Sequence, residues 1–166
     1  MQPMVTWNPG GKGMWIRPLS VEDAAWLAPM AERVFAPLEV GYGAAVHQWA
    51  TAPGGLGWVV EIKGTPVGFA VASRLGIAEE GASHLTELTA IGVAPEVRRA
   101  GVGRTLLAAV IRSARGEPGN LAIQLLVAEG NTAARALFRQ AGFVEEGPDG
   151  TYPNGQTALR LRRGRR

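Results

Sequence analysis

The 166-residue chain has no cysteine and only two histidines, His47 and His84. Without thiols there is no disulfide framework, no thiolate zinc ligand and no cysteine nucleophile, and so few histidines make an imidazole metal site a poor expectation; no metal is expected. Charge is also sparse: charged residues make up 19% of the chain and hydrophobic ones 46%, the composition of a sequence that collapses around a core. Five arginines (Arg160, Arg162, Arg163, Arg165, Arg166) stand in the last seven positions; setting them aside from the 17 basic residues leaves 12 against 14 acidic ones. The body is thus slightly acidic, which argues against a nucleic-acid face, and residues 163–166 read as a solvated basic tail. Long apolar runs are missing too. Residues 1–13 hold Pro3, Pro9 and three glycines and read as a flexible segment, neither signal peptide nor membrane anchor, so a cytoplasmic protein without a membrane partner is expected.

What remains is enough for one domain, residues 14–162. Met14 to Pro18 reads as a short strand. Ser20 with Asp23 has the form of a capping box for a helix over Val21 to Val34, which Pro37 breaks. Tyr42 to Ala50 reads as a second helix, followed by a turn region from Thr51 to Gly57. Two apolar, β-branched runs, Trp58–Ile62 and Pro66–Arg74, are separated by Lys63, Gly64 and Thr65 as in a hairpin. A polar loop with Glu79 and Glu80 leads to a strand over Leu85 to Val93, in which Gly92 marks a bulge or a close backbone approach. Val102 to Arg115 has helical apolar spacing, and Leu121 to Val127 is the nearly unbroken apolar run of a central strand. Asn131 caps a helix over Thr132 to Gln140 that stops at Gly142. Strands over Phe143–Glu146 and Thr157–Arg162 flank a turn region from Pro148 to Gly155. The order predicts an α/β or α+β domain, a mixed central sheet of about six to seven strands with about four helices.

The segment Arg98, Arg99, Ala100, Gly101, Val102, Gly103, Arg104, Thr105 joins a strand to a helix and has the makings of an anion site. Its glycines allow close backbone approach, and the helix start supplies free N–H groups and the positive end of the dipole. A P-loop is excluded, because Arg98 replaces its first glycine and Arg104 its lysine; a dinucleotide fingerprint is excluded by Leu106 in place of the third glycine. Arg98, Gly101 and Gly103 instead fill the signature of the GNAT superfamily of acyl-CoA N-acyltransferases, which the segment resembles. Ile91 to Glu96 is similar to that family's strand and its exit, and Asn131 to Phe143 (NTAARALFRQAGF) resembles the segment after its fifth strand.

The resemblance covers roughly Met14 to Arg162 and implies strands four and five splayed around the pantetheine arm of acetyl-CoA. It places Ile91 and Val93 on the pantetheine, Arg98, Arg99, Ala100, Gly101, Val102, Gly103, Arg104 and Thr105 at the pyrophosphate, and Asn131, Ala134 and Phe138 on the arm and thiol end. The implied activity is transfer of an acetyl group to a primary amine by direct attack in a ternary complex, which needs a base for the amine proton. Glu87 is the candidate base, with a structural or substrate-contacting role as its alternative. A base that some branches carry on strand five is replaced by Leu126, and Glu129 is in reserve. The tyrosine that many members use to protonate the leaving thiolate is replaced by Phe138, and Tyr152 is the substitute acid or else an exposed turn tyrosine. Tyr42, His47 and Trp49 are candidate acceptor contacts, and Glu39, Glu79 or Glu80 candidates for attracting a cationic amine. The expected acceptor is a small-molecule, peptide or protein amine, handled by a monomer or homodimer; an acyl-CoA-binding module with weak or no catalysis is the alternative.

Overall fold

The structure is a computed structural model that describes residues 13–38, 41–76 and 82–166. The expectations for residues 1–12, for Glu39 and for Glu79 and Glu80 therefore lie outside the described residues. Among the described residues, seven strands form one sheet in the order β1-β2-β3-β4-β5-β7-β6. They are β1 (Met14–Pro18), β2 (Gly55–Ile62), β3 (Thr65–Leu75), β4 (His84–Val93), β5 (Asn120–Ala128), β6 (Val144–Thr151) and β7 (Thr157–Gly164). The described α-helices are α1 (Ala24–Phe35), α2 (Tyr42–Thr51), α3 (Val102–Gly116) and α4 (Thr132–Gln140). All neighbouring strands run antiparallel except β4 and β5.

Each face of the sheet has its own core. One holds Val60, Ala70, Leu88, Leu125 and Leu161 against Leu106, Leu107 and Val110 of α3 and Phe138 of α4. On the other, Phe69, Val71 and Ala90 pack under Leu27 and Ala31 of α1 and Val46 of α2. Alternation along β3 produces this split, since Phe69 and Val71 point to one face and Ala70 and Ala72 to the other. Complete burial of Phe69, Leu27 and Leu106 contributes roughly 1.5–3 kcal/mol per side chain.

The corner between β1 and α1 is fixed by a buried carboxylate. Asp23, 4% exposed, accepts from the Arg17 guanidinium at 2.8 Å, from Trp26 Nε1 at 2.6 Å and from the Ser20 N–H at 2.8 Å. Burial opposes its ionisation, but these donors outweigh that and hold the carboxyl well below its ordinary range. Asp23 ends a 3-10 turn over Val21–Asp23, so the α-helix starts three residues later than its sequence pattern indicates.

Other boundaries also move. Strand β2 begins at Gly55, inside the expected turn region, because Gly55 to Gly57 pair with Val71 to Ser73. Strand β6 runs on to Thr151 through an irregular register, and β7 continues to Gly164, which pairs with Ala122. The bulge in β4 lies at Thr89 and not at Gly92: Val71 pairs with Ala90 and Ala72 with Leu88, leaving Thr89 as the extra residue. Its hydroxyl donates to the Val71 carbonyl at 3.0 Å. Gly92 satisfies the other reading, a close approach, since a Cβ there would lie 2.7 Å from the Phe69 ring.

Candidate functional site

The parallel ladder between β4 and β5 ends at the pair Leu88 and Leu125. Beyond it β4 continues to Val93 alongside β3, and β5 continues to Ala128 alongside β7, so the sheet forks. The pocket in the fork has Leu88 and Leu125 at its base, Thr89 to Ile91 on one arm and Leu126 to Ala128 on the other. Asn131, Ala134 and Phe138 of α4 close it on one face of the sheet; Phe35, Leu38, Tyr42 and Tyr152 close it on the opposite face. Past the fork the β4 edge facing β5 offers main-chain N–H and C=O groups to whatever enters, as any unpaired strand edge does.

Following β4, a 3-10 turn over Pro95–Val97 leads into the loop of Arg98 to Gly101. Arg99 has φ 69° and Gly101 φ 86°, left-handed conformations that turn successive N–H groups to one side. The first intrahelical bond of α3 runs from the Thr105 N–H to the Gly101 carbonyl at 3.0 Å. The N–H groups of Val102, Gly103 and Arg104 precede it and have no acceptor within the helix. The side chains of Arg98, Arg99 and Arg104 are exposed around this helix start. Nothing lies within 4 Å of a Cβ built on Gly101, whereas one on Gly103 would meet Leu137 of α4 at 3.3 Å. Gly101 is therefore favoured by its backbone angle, while a side chain at Gly103 would press on the end of Leu137. The loop is open, positive and rich in unengaged donors, which fits a pyrophosphate.

Asn131 does cap α4, its side-chain oxygen accepting from the Ala134 N–H at 3.1 Å, and it also lines the pocket. Buried Phe138 stacks edge-on against Phe143 with ring centroids 5.8 Å apart. Of the three proposed acceptor contacts, only Tyr42 lines the pocket. Trp49 lies behind it, edge-on to Tyr42 at 5.8 Å, and Tyr42 in turn meets Phe35 at 4.7 Å. His47 is not in the lining; its Nε2 is buried without a hydrogen-bond partner.

Glu87 pairs with Ser73 and shares the α1–α2 face of the sheet. It sits before the fork, half-buried, and accepts from Gln124 Nε2 at 3.2 Å. It is absent from the pocket lining and so is not placed for direct contact with a group at the fork. Tyr152 is brought in: burial raises its phenol to about 12, with Tyr42 nearby adding to the effect, so it stays protonated near neutrality. Asn154 Nδ2 donates to the Pro37 carbonyl at 2.6 Å, tying the β6–β7 turn across to the end of α1. The sequence does not mark this bridge, because an asparagine in a turn gives no distinctive signal. Phe35, Leu38 and Thr89 were likewise not singled out, because their role depends on the fork.

Among the described residues there is no group of three or more His, Cys, Asp or Glu side chains arranged to hold a metal ion. None of the helices there is long and apolar enough to cross a membrane.

A forked sheet with a glycine-arginine loop at the adjoining helix start defines the class of protein. The profile of the acetyltransferase (GNAT) family matches residues 20–143, and the chain belongs to that family. No curated protein sequence matches it. Among solved structures, it is similar to the ribosomal-protein-alanine N-acetyltransferase of Brucella melitensis, with 27% identity and TM-score 0.72 over 90% of this chain and 98% of that one. Arabidopsis thaliana NAA60 in complex with acetyl-CoA gives 15% identity and TM-score 0.75 over 91% and 98%. Nourseothricin acetyltransferase gives 23% and 0.69 over 93% and 99%. These relatives share the fold while their names point to acceptors as different as a ribosomal protein and nourseothricin.

Proposed function

We propose that this protein is an N-acetyltransferase that moves the acetyl group of acetyl-CoA to a primary amine of a small molecule, peptide or protein by direct attack in a ternary complex. The observation that carries this reading is the continuity of the glycine-arginine loop with the unpaired β4 edge. One holds a pyrophosphate and the other pairs with an extended amide-bearing arm, and together they direct a thioester into the fork. Arg98, Arg99 and Arg104 with the N–H groups of Val102, Gly103 and Arg104 bind the pyrophosphate; Ile91 and Val93 supply backbone partners to the pantetheine; Asn131, Ala134 and Phe138 flank the arm and its thiol end.

The acceptor enters from the face of Phe35, Tyr42 and Tyr152. Its neutral amine attacks the thioester carbon, the N–C bond forms, and the carbonyl oxygen takes negative charge against a β4 backbone N–H. The C–S bond then breaks while the Tyr152 hydroxyl donates a hydrogen bond to the leaving thiolate, which takes its proton from water. With an ordinary thiol pKa of about 8.5, the thiolate leaves without a strong acid. The surplus proton on nitrogen departs through water, with Glu87 as its sink at the base of the same face.

The absence of cysteine provides a clean test, because a thiol reagent then reports only released CoA. Incubation with acetyl-CoA and a panel of amines is expected to release CoA in step with amide formation. Tight acetyl-CoA binding without turnover on any amine would leave the fold as an acyl-CoA-binding module. Phe138 and Leu126, which bring no acid or base to the fork, favour that second reading.

A further inference from the structure

The pocket in the fork has an unusual chemical character among the described residues: no side chain in its lining carries a charge. Its hydrogen-bonding groups are neutral ones, the hydroxyls of Thr89, Tyr42 and Tyr152 and the amide of Asn131. Burial keeps the Tyr152 phenol uncharged. Two charged groups of the same face are engaged elsewhere, while Arg162 lies exposed before the fork, opposite Gln124. Arg160, paired with Leu126 across the strands, binds Asp149, and Glu87 is held by Gln124 before the fork. Across the opening, the Asn154 bridge to Pro37 draws the β6–β7 turn toward α1.

Such a lining discriminates by charge. An alkylammonium entering it finds no carboxylate among the described lining residues to replace its hydration, and an isolated buried charge is costly. A free amino acid brings a carboxylate and finds no cation. An α-amine next to a peptide carbonyl avoids both penalties, because it loses its proton readily and its neighbouring amide hydrogen-bonds to hydroxyl and main-chain groups. Building on the transferase reading, we propose that the acceptor is the α-amino group of a peptide or protein whose first residues are uncharged, entering between Tyr42 and Tyr152. A lysine ε-amine, a polyamine or a free amino acid is selected against. The neutral fraction at pH 7.4 favours an α-amine over a lysine side chain by about 300-fold, taking unperturbed values for both.

The test compares two peptides of one neutral sequence, the first with a free N-terminus and no lysine, the second N-terminally acetylated with one lysine; free alanine and spermidine complete the panel. At pH 7.4, kcat/KM for the first peptide is expected to exceed that for the second by 100-fold or more, and to exceed that for free alanine by at least tenfold. The acid limb of its pH profile should follow the peptide's own amine and stay in place in the Glu39→Gln variant. Equal or better use of the lysyl peptide, spermidine or free alanine overturns the assignment while leaving the transferase intact, as does a limb that moves in Glu39→Gln. CoA release from no amine, with acetyl-CoA still bound, removes the transferase reading and this assignment with it.

Discussion

The two sides of the fork are built on different principles. On the α3 side, the donor loop is specified by backbone: Gly101 and Arg99 in left-handed conformations, a helix start, and Gly103 against Leu137. On the α1 side, the pocket is specified by tertiary contacts alone: Phe35 on Tyr42, Tyr42 on Trp49, Tyr152 over the opening, and Asn154 reaching to Pro37. A site made of backbone conformation constrains residue type at each position, whereas one made of packed side chains accepts many solutions. On the proposed function, the first side holds the donor and the second sets the acceptor.

Substitutions separate the two sides. Tyr152→Phe is expected to have the largest catalytic effect, lowering kcat by about 100-fold while the acetyl-CoA dissociation constant stays within twofold. Unchanged turnover there would return Tyr152 to the role of a turn residue. Asp23→Asn comes next. It removes the charge that Arg17, Trp26 and the Ser20 N–H converge on and is expected to destabilise the α1 side by about 2–3 kcal/mol in urea unfolding. Because the folded-state carboxyl titrates below its unfolded value, that stability is present above about pH 4 and is lost as pH falls further. The wild-type protein should therefore lose stability below pH 4 more steeply than the variant; parallel curves would show that Asp23 is not the responsible group.

Arg98→Ala should act on the donor alone, raising KM for acetyl-CoA about tenfold at low salt and by less at 0.5 M salt, since exposed charges are screened. A rise that ignores salt would point to a structural defect. The smallest effect is expected from Asn154→Ala, which removes one exposed hydrogen bond: about 1 kcal/mol, read as a several-fold rise in acceptor KM with kcat and acetyl-CoA binding preserved.

Much of the local conformation on the α3 side was legible in the sequence, and for a physical reason. A left-handed glycine, a helix start and an N-cap such as Asn131 are local, so they leave fixed spacings in the chain. The order of elements was readable likewise, through apolar periods in β5 and α3. Long-range pairing left weaker traces. The bulge at Thr89 follows from register between β3 and β4, and the sequence signal at Gly92 belonged to a close approach to Phe69 instead. The family resemblance made Glu87 the candidate base, yet the ladder still holds β4 to β5 at that level, so it falls before the fork. His47 and Trp49 share a helix with Tyr42, but only Tyr42 reaches the pocket.

The central claim is that the conformation of the donor loop, and no feature of the acceptor side, holds acetyl-CoA. Calorimetric titration of acetyl-CoA into the wild type, Gly101→Val and Tyr152→Phe tests it most directly. With φ at 86° and open space around the position, the valine is opposed by backbone strain of roughly 1–2 kcal/mol and not by a clash. The account predicts binding weakened about tenfold or more in Gly101→Val and unchanged in Tyr152→Phe. Unaltered binding in a folded Gly101→Val protein, or a loss of the same size in Tyr152→Phe, would contradict it.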